Sequence, residues 1–136
     1  MHRIFLGVLL LIVVTSSASA RHNHHRHVVS VLSLKSGTEI VAHPSGCPSR
    51  AFCGCGAAVR VFGEPVRSLW LAASWLRFPR TSPAPGMVAA RRGHVMVLEA
   101  DLGNGVWQVY DANSGGRATR IHARPIAGYT IVNPRG

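Results

Sequence analysis

The residues with the clearest chemical potential in this chain are Cys55, His94, Asp111 and Asn113. A thiolate can attack a carbonyl carbon, a histidine can take and return the proton, and a carboxylate or amide can orient the imidazole ring. Each also has a structural alternative: the cysteine as a small buried hydrophobe, the histidine as a hydrogen-bonded residue at a strand end, and the last two as turn formers. Their places in the local pattern decide whether they form one site.

The pattern around these residues predicts the elements that position them. Helical periodicity begins near Gly54 or Cys55 and ends at Gly63, so Cys55 is placed at a helix N-terminus, where backbone N–H groups favour a thiolate. His94 opens a predicted strand that turns at residues 102–105 into the next one. Such a hairpin brings position 94 opposite about position 113, so Asp111 or Asn113 can reach the imidazole across the strands.

The remaining elements are predicted from periodicity and turn residues. A second helix is expected from Val66 to Phe78, stopped by Pro79. Strands are expected at residues 28–34, 38–42, 87–90, 94–100, 106–110, 118–122 and 129–132. The strand at 94–100 is apolar at successive positions, which indicates burial on both faces. Helices followed by a run of antiparallel strands indicate an α+β domain.

The first 20 residues are typical of a signal peptide. The run Ile4–Val14 is apolar, and Ala18-Ser19-Ala20 is a small-residue cleavage pattern. The run is short for a bilayer span, although an uncleaved anchor is the alternative. We therefore expect a secreted or periplasmic protein with no stable membrane span after cleavage. Residues 21–44 are expected to form a His-rich tail and N-terminal strands, and residues 45–136 a catalytic domain.

The charge is strongly basic, with 15 Lys and Arg against 5 Asp and Glu and a formal net charge of +10. Removing Arg3 with the leader reduces the charge of the exported form by one. Attraction to an anionic cell-envelope polymer is expected. Nucleic-acid binding is not, because the arginines are scattered, aromatic residues are few and no nucleic-acid motif occurs. The tract at residues 21–27 could bind a transition metal, but a solvated remnant of the leader is favoured.

The chain has three cysteines, Cys47, Cys53 and Cys55. An odd number in an exported protein leaves one thiol free, intermolecular or catalytic. Cys53 and Cys55 are separated by one residue and cannot bridge easily, so Cys47 with Cys53 is the more comfortable pair and leaves Cys55 free. The alternative is that all three are reduced or buried. A zinc site is disfavoured, because the cluster lacks a second ligand pair at finger spacing.

Several segments together resemble the CHAP domain, which belongs with the NlpC-type cell-wall peptidases. They are Cys55 opening a helix, Pro85-Gly86-Met87-Val88-Ala89, Gly93-His94-Val95-Met96-Val97-Leu98-Glu99, Val109-Tyr110-Asp111-Ala112-Asn113 and Ala127-Gly128-Tyr129-Thr130-Ile131. The resemblance covers about residues 54–134. It implies a compact papain-like fold, with N-terminal helices packed on an antiparallel sheet.

The resemblance also implies an activity, that of a cysteine amidase or endopeptidase on peptidoglycan peptides or related amides. Carried over by position, Cys55 is the nucleophile and His94 the general base. Asp111 stands where the family usually has glutamate, and Asn113 where it has asparagine. No cofactor or metal is implied, and a monomer is expected. The alternatives are an inactive relative that binds wall peptides or a partner protein and, less favoured, a metal-binding envelope protein.

Overall fold

The computed structural model describes residues 37–136. In this range the helices lie between the first strand and the other five. The elements are β1 Glu39–Val41, α1 Cys53–Phe62, two 3-10 helices at Arg67–Leu69 and Ala72–Arg77, β2 Val88–Arg91, β3 His94–Gly103, β4 Val106–Ser114, β5 Ala118–Pro125 and β6 Thr130–Val132. The predicted leader, the His-rich tract and the predicted strand at residues 28–34 lie outside the described residues.

The strands form one antiparallel sheet with the order β1-β5-β4-β3-β2-β6. Strands β2 to β5 are neighbours in chain order, as expected for strands joined by short turns. β6 returns to pair with β2, and β1 pairs with β5. The predicted α+β class with an antiparallel sheet is confirmed in this coarse form, although the sheet dominates and helices are few.

Helix α1 begins at Cys53, one or two residues earlier than the sequence pattern predicts. Its buried face includes Ala57, Ala58 and Val61, which pack against the sheet. The predicted end at Gly63 is confirmed. This glycine has φ 83° and its N–H donates to the Val59 carbonyl, a left-handed cap that residues with a side chain adopt only with strain.

The predicted helix from Val66 to Phe78 is wrong, because the segment forms two 3-10 helices with Leu71 in an extended conformation between them. The Leu69 carbonyl, which a continuous α-helix would use within its own ladder, accepts a hydrogen bond of 2.9 Å from Trp75 Nε1. The carbonyl oxygens of Leu69 and Trp70 also approach Gly54 of α1 so closely that a Cβ atom at this position would lie 2.3 Å from each of them. Apolar spacing alone did not reveal these competing tertiary contacts.

Strand β3 is buried on both faces, as its continuous apolar sequence predicts. Val95 and Val97 belong to the core beneath α1, which also contains Phe52 and Trp75. The alternate residues Met96 and Leu98 form a second cluster on the other side, together with Ala89, Trp107 and Val109. The central hairpin is therefore held from both sides, which restricts the side chains at its open end. Among the described residues no helix is long and apolar enough to cross a membrane.

Candidate active site

The β3–β4 hairpin brings His94 and Asp111 into direct contact. His94 Nε2 lies 2.6 Å from Asp111 Oδ1. Val97 pairs with Tyr110, so a regular ladder puts residue 94 opposite residue 113 and leaves residue 111 diagonal to it on the same face of the sheet. The expectation from hairpin geometry is thus confirmed for His94 and Asp111.

Asp111 is fully buried and both its carboxylate oxygens have partners. His122 Nε2 lies 2.9 Å from Oδ2, and Arg124 Nη1 lies 3.7 Å from the same oxygen. The sequence analysis missed both residues. The missed signal was the alternation of Arg120, His122 and Arg124 along β5, because Asp111 pairs with Arg120 and residue 122 is the next one on that face.

These contacts raise the pKa of His94 and lower the pKa of Asp111. Burial opposes ionisation of Asp111, but hydrogen bonds from His94 and His122, with the charges of His94 and Arg124, hold the pKa of this carboxyl below its ordinary value. The hydrogen bond to Asp111, followed by one to Cys53, raises the pKa of His94 from 6.5 to about 9 against the opposing effect of burial. At neutral pH His94 is therefore an imidazolium held against the Asp111 carboxylate.

The cysteines differ from the sequence-based interpretation. Cys47 and Cys55 form the disulfide, with their Cα atoms 5.7 Å apart, and Cys53 is the free, buried thiol. The predicted pairing of Cys47 with Cys53 is wrong, and Cys55 has no free thiol to act as the predicted nucleophile. The physical reason is helical: residues two apart in an α-helix point to nearly opposite sides, so only one of the two cysteines can face Cys47.

The argument from the helix N-terminus applies to Cys53 instead, which is the first residue of α1. Phe52 provides no side-chain cap, and in the described part of the chain the backbone N–H groups of Cys53, Gly54 and Cys55 have no protein acceptor. Unpaired amides at a helix N-terminus stabilise negative charge, on a thiolate or on an oxygen that becomes negative during a reaction. Cys53 is the second cause, after Asp111, of the raised pKa of His94, and Nδ1 is the ring nitrogen that Asp111 does not use.

Asn113 lies close to this group without joining it. It has φ 59° at an irregularity between β4 and β5, and within residues 37–136 its side chain makes no hydrogen bond to His94. It lines a cavity of about 250 Å³ beside His94, together with Asp111, Arg91 and Arg124. Of the two predicted partners for the imidazole, Asp111 is the one in contact.

No group of three or more His, Cys, Asp or Glu side chains in residues 37–136 is arranged to hold a metal ion. The His-rich tract lies outside this range, so the metal-binding alternative based on it stays a prediction. Comparisons with protein-family models, with curated proteins and with solved structures each found no match. The case for a function therefore rests on the chemistry of Cys53, His94 and Asp111.

Proposed function

We propose that this chain is an exported cysteine amidohydrolase or endopeptidase of CHAP type, with a papain-like fold, acting on peptidoglycan peptides or related amide bonds. The observation that carries the proposal is the short hydrogen bond between His94 and the fully buried Asp111, beside the one free thiol of the described residues. Cys53 is the nucleophile in place of Cys55, and Asp111 orients the imidazole.

The geometry supports a two-step reaction. The Cys53 thiolate attacks the amide carbonyl carbon, and the His94 imidazolium gives its proton to the leaving amine as the C–N bond breaks. The neutral His94 then takes a proton from water, whose oxygen attacks the thioester and releases the acid and the thiolate. The free amides at the start of α1 are suited to the carbonyl oxygen when it is negatively charged in each step.

Export is supported by two observations that are independent of the site. The leader pattern at residues 1–20 predicts secretion. The disulfide Cys47–Cys55 is of a kind that forms and persists in oxidising compartments. An anionic wall polymer is also a suitable surface for this chain, whose formal net charge of +10 falls by only one when Arg3 is removed with the leader. Mass spectrometry of the secreted or periplasmic fraction tests the cleavage, with a mature start at Arg21 expected.

The catalytic assignment is tested with purified mature protein, on isolated peptidoglycan and on a panel of fluorogenic peptide amides. Cys53→Ser is expected to abolish hydrolysis, because serine beside the same imidazole is a far weaker nucleophile. The double variant Cys47→Ser/Cys55→Ser is the matched control, since it removes the two disulfide-bonded cysteines and should retain hydrolysis where it remains folded. Hydrolysis that survives in Cys53→Ser would refute the assignment of this cysteine.

The burial of Cys53 favours a second candidate, a catalytically inactive relative that binds wall peptides or a partner protein. Only 7% of this residue is exposed, which restricts the approach of a substrate. A thiol-reactive probe at neutral pH separates the two functions. Rapid labelling of Cys53, compared with the same protein unfolded, supports the enzyme. Slow labelling with retained peptidoglycan binding supports the binding protein.

A further inference from the structure

We propose that a cavity at the C-terminal end of α1 is a second binding site, which takes a short apolar peptide with a free ammonium and a free carboxylate group. The cavity has a volume of about 510 Å³ and lies between the end of α1, the two 3-10 helices and the C-terminal segment. The described residues that line it do not include Cys53, His94 or Asp111. The site therefore goes beyond the proposed function, and its ligand is held rather than cleaved.

The walls of the cavity are largely apolar and are held in place by Trp75, which is fully buried. The rings of Phe62 and Phe78 lie 6.2 Å and 5.7 Å from the Trp75 ring, centre to centre. Trp75 Nε1 also donates to the Leu69 carbonyl at 2.9 Å. Fixed apolar walls around an open space of this size are typical of sites for small ligands. The apolar residues of the wall are Phe62, Val66, Leu69, Phe78 and Pro134.

One side of the cavity is suited to an ammonium group. Glu64 lines it two residues after the end of α1, and its carboxylate forms no ion pair within residues 37–136. The C-terminal end of a helix carries a partial negative charge, because its last carbonyl groups have no partner inside the helix. Both charges favour a cation, and the aromatic ring of Phe62 in the same wall is a further favourable contact for it.

The opposite charge is supplied by Arg77. Its Nε donates to the Ser74 carbonyl at 3.3 Å, and in the described part of the chain its two Nη groups have no acceptor. A guanidinium with free N–H groups binds a carboxylate through two parallel hydrogen bonds. Because Glu64 and Arg77 line one cavity without forming an ion pair, a complementary ligand carries its two charges apart. The ends of an extended dipeptide are separated by roughly 7 Å, whereas the two charges of a single amino acid are adjacent.

The test uses four forms of the dipeptide Leu-Phe: free at both ends, N-acetylated, C-terminally amidated and blocked at both ends. Binding to the mature protein is measured by NMR titration of the backbone amides. We expect the free form to bind most tightly and each block to weaken it roughly two- to fivefold, the scale of an exposed ion pair. The amides of Leu69 and Phe78 should shift and that of His94 should not. Cys53→Ala should bind the free form as tightly as the wild type does.

Substitutions of the two charged residues test each end of the ligand separately. Glu64→Gln should abolish the effect of acetylation and retain the effect of amidation, and Arg77→Gln should do the reverse. Glu39→Gln and Arg67→Gln are the matched controls, because both residues are exposed and lie outside the lining of the cavity. Both controls should bind the four forms as the wild type does.

Equal binding of all four forms, or of none, would overturn the site. Loss of binding in Cys53→Ala, or shifts at His94 instead of Leu69, would place the peptide in the candidate active site and would also overturn it. Shifts at the cavity wall that follow the protein concentration and not the peptide would assign the cavity to a second copy of the chain, with the same consequence. The expected binding by a protein that hydrolyses no amide would keep this site and reject the enzyme.

Discussion

Replacing Asp111 by asparagine should lower the pKa of His94 toward its ordinary value of 6.5. The substitution keeps the size of the side chain but removes the negative charge and replaces one of the two acceptor oxygens with an amide NH2 group, which only donates. The rise in the pKa of His94 from 6.5 to about 9 corresponds to about 3 kcal/mol of preference for the charged ring, at roughly 1.4 kcal/mol per unit. Because the hydrogen bond to Asp111 is the largest cause, we expect most of the shift to be lost in the variant.

The same shift has a consequence for stability with a defined sign. A histidine whose pKa is raised on folding stabilises the protein fully below its unfolded value of 6.5, and that contribution is lost as the pH rises toward about 9. The wild-type free energy of unfolding should therefore fall between pH 6.5 and 9 by up to about 3 kcal/mol. Asp111→Asn should be less stable at pH 6 and should show little of this slope.

The protonation is measured by NMR titration of the imidazole protons, and the stability by denaturant unfolding at pH 6, 7.5 and 9. His122→Gln keeps the carboxylate and removes only its second histidine partner, so it should lower the pKa of His94 much less. His43→Gln is the control and should leave the pKa of His94 unchanged, because this exposed histidine contacts Cys47 and Phe52 and not Asp111. If His94 titrates in Asp111→Asn as it does in the wild type, the carboxylate does not control the imidazole and our reasoning fails.

Two further predictions concern the elements that hold the site. Removing the disulfide with Cys47→Ser/Cys55→Ser should lower the free energy of unfolding by about 2–3 kcal/mol, because the two cysteines are separated by only 8 residues and close a short loop. Thermal unfolding measures this change, and an unchanged melting temperature would contradict the pairing. Gly54→Ala should cost about 1–3 kcal/mol or more, because the added Cβ would lie 2.3 Å from two backbone carbonyl oxygens, whereas Gly93→Ala has open space and should unfold like the wild type.

Much of the β-sheet could be predicted from local patterns. The strands from Val88 onward appear where apolar alternation and turn residues indicate them, with bounds that differ by a few residues. Proximity of His94 and Asp111 also follows from the chain, since a short turn restricts which residues of two adjacent strands can meet. The same reasoning applied to β4 and β5 would have identified His122.

The sequence by itself therefore determined the α+β class, the central hairpin and the proximity of His94 to Asp111 or Asn113, because these depend on residues that are neighbours in the chain or across one turn. Only the tertiary structure decided that Cys53 is the free thiol, since the start of α1 sets which cysteine turns toward Cys47. It also decided that the segment after α1 forms 3-10 helices, because the Leu69 and Trp70 carbonyls contact α1 and Trp75. Such choices depend on packing between elements, and apolar spacing along one element does not contain that information.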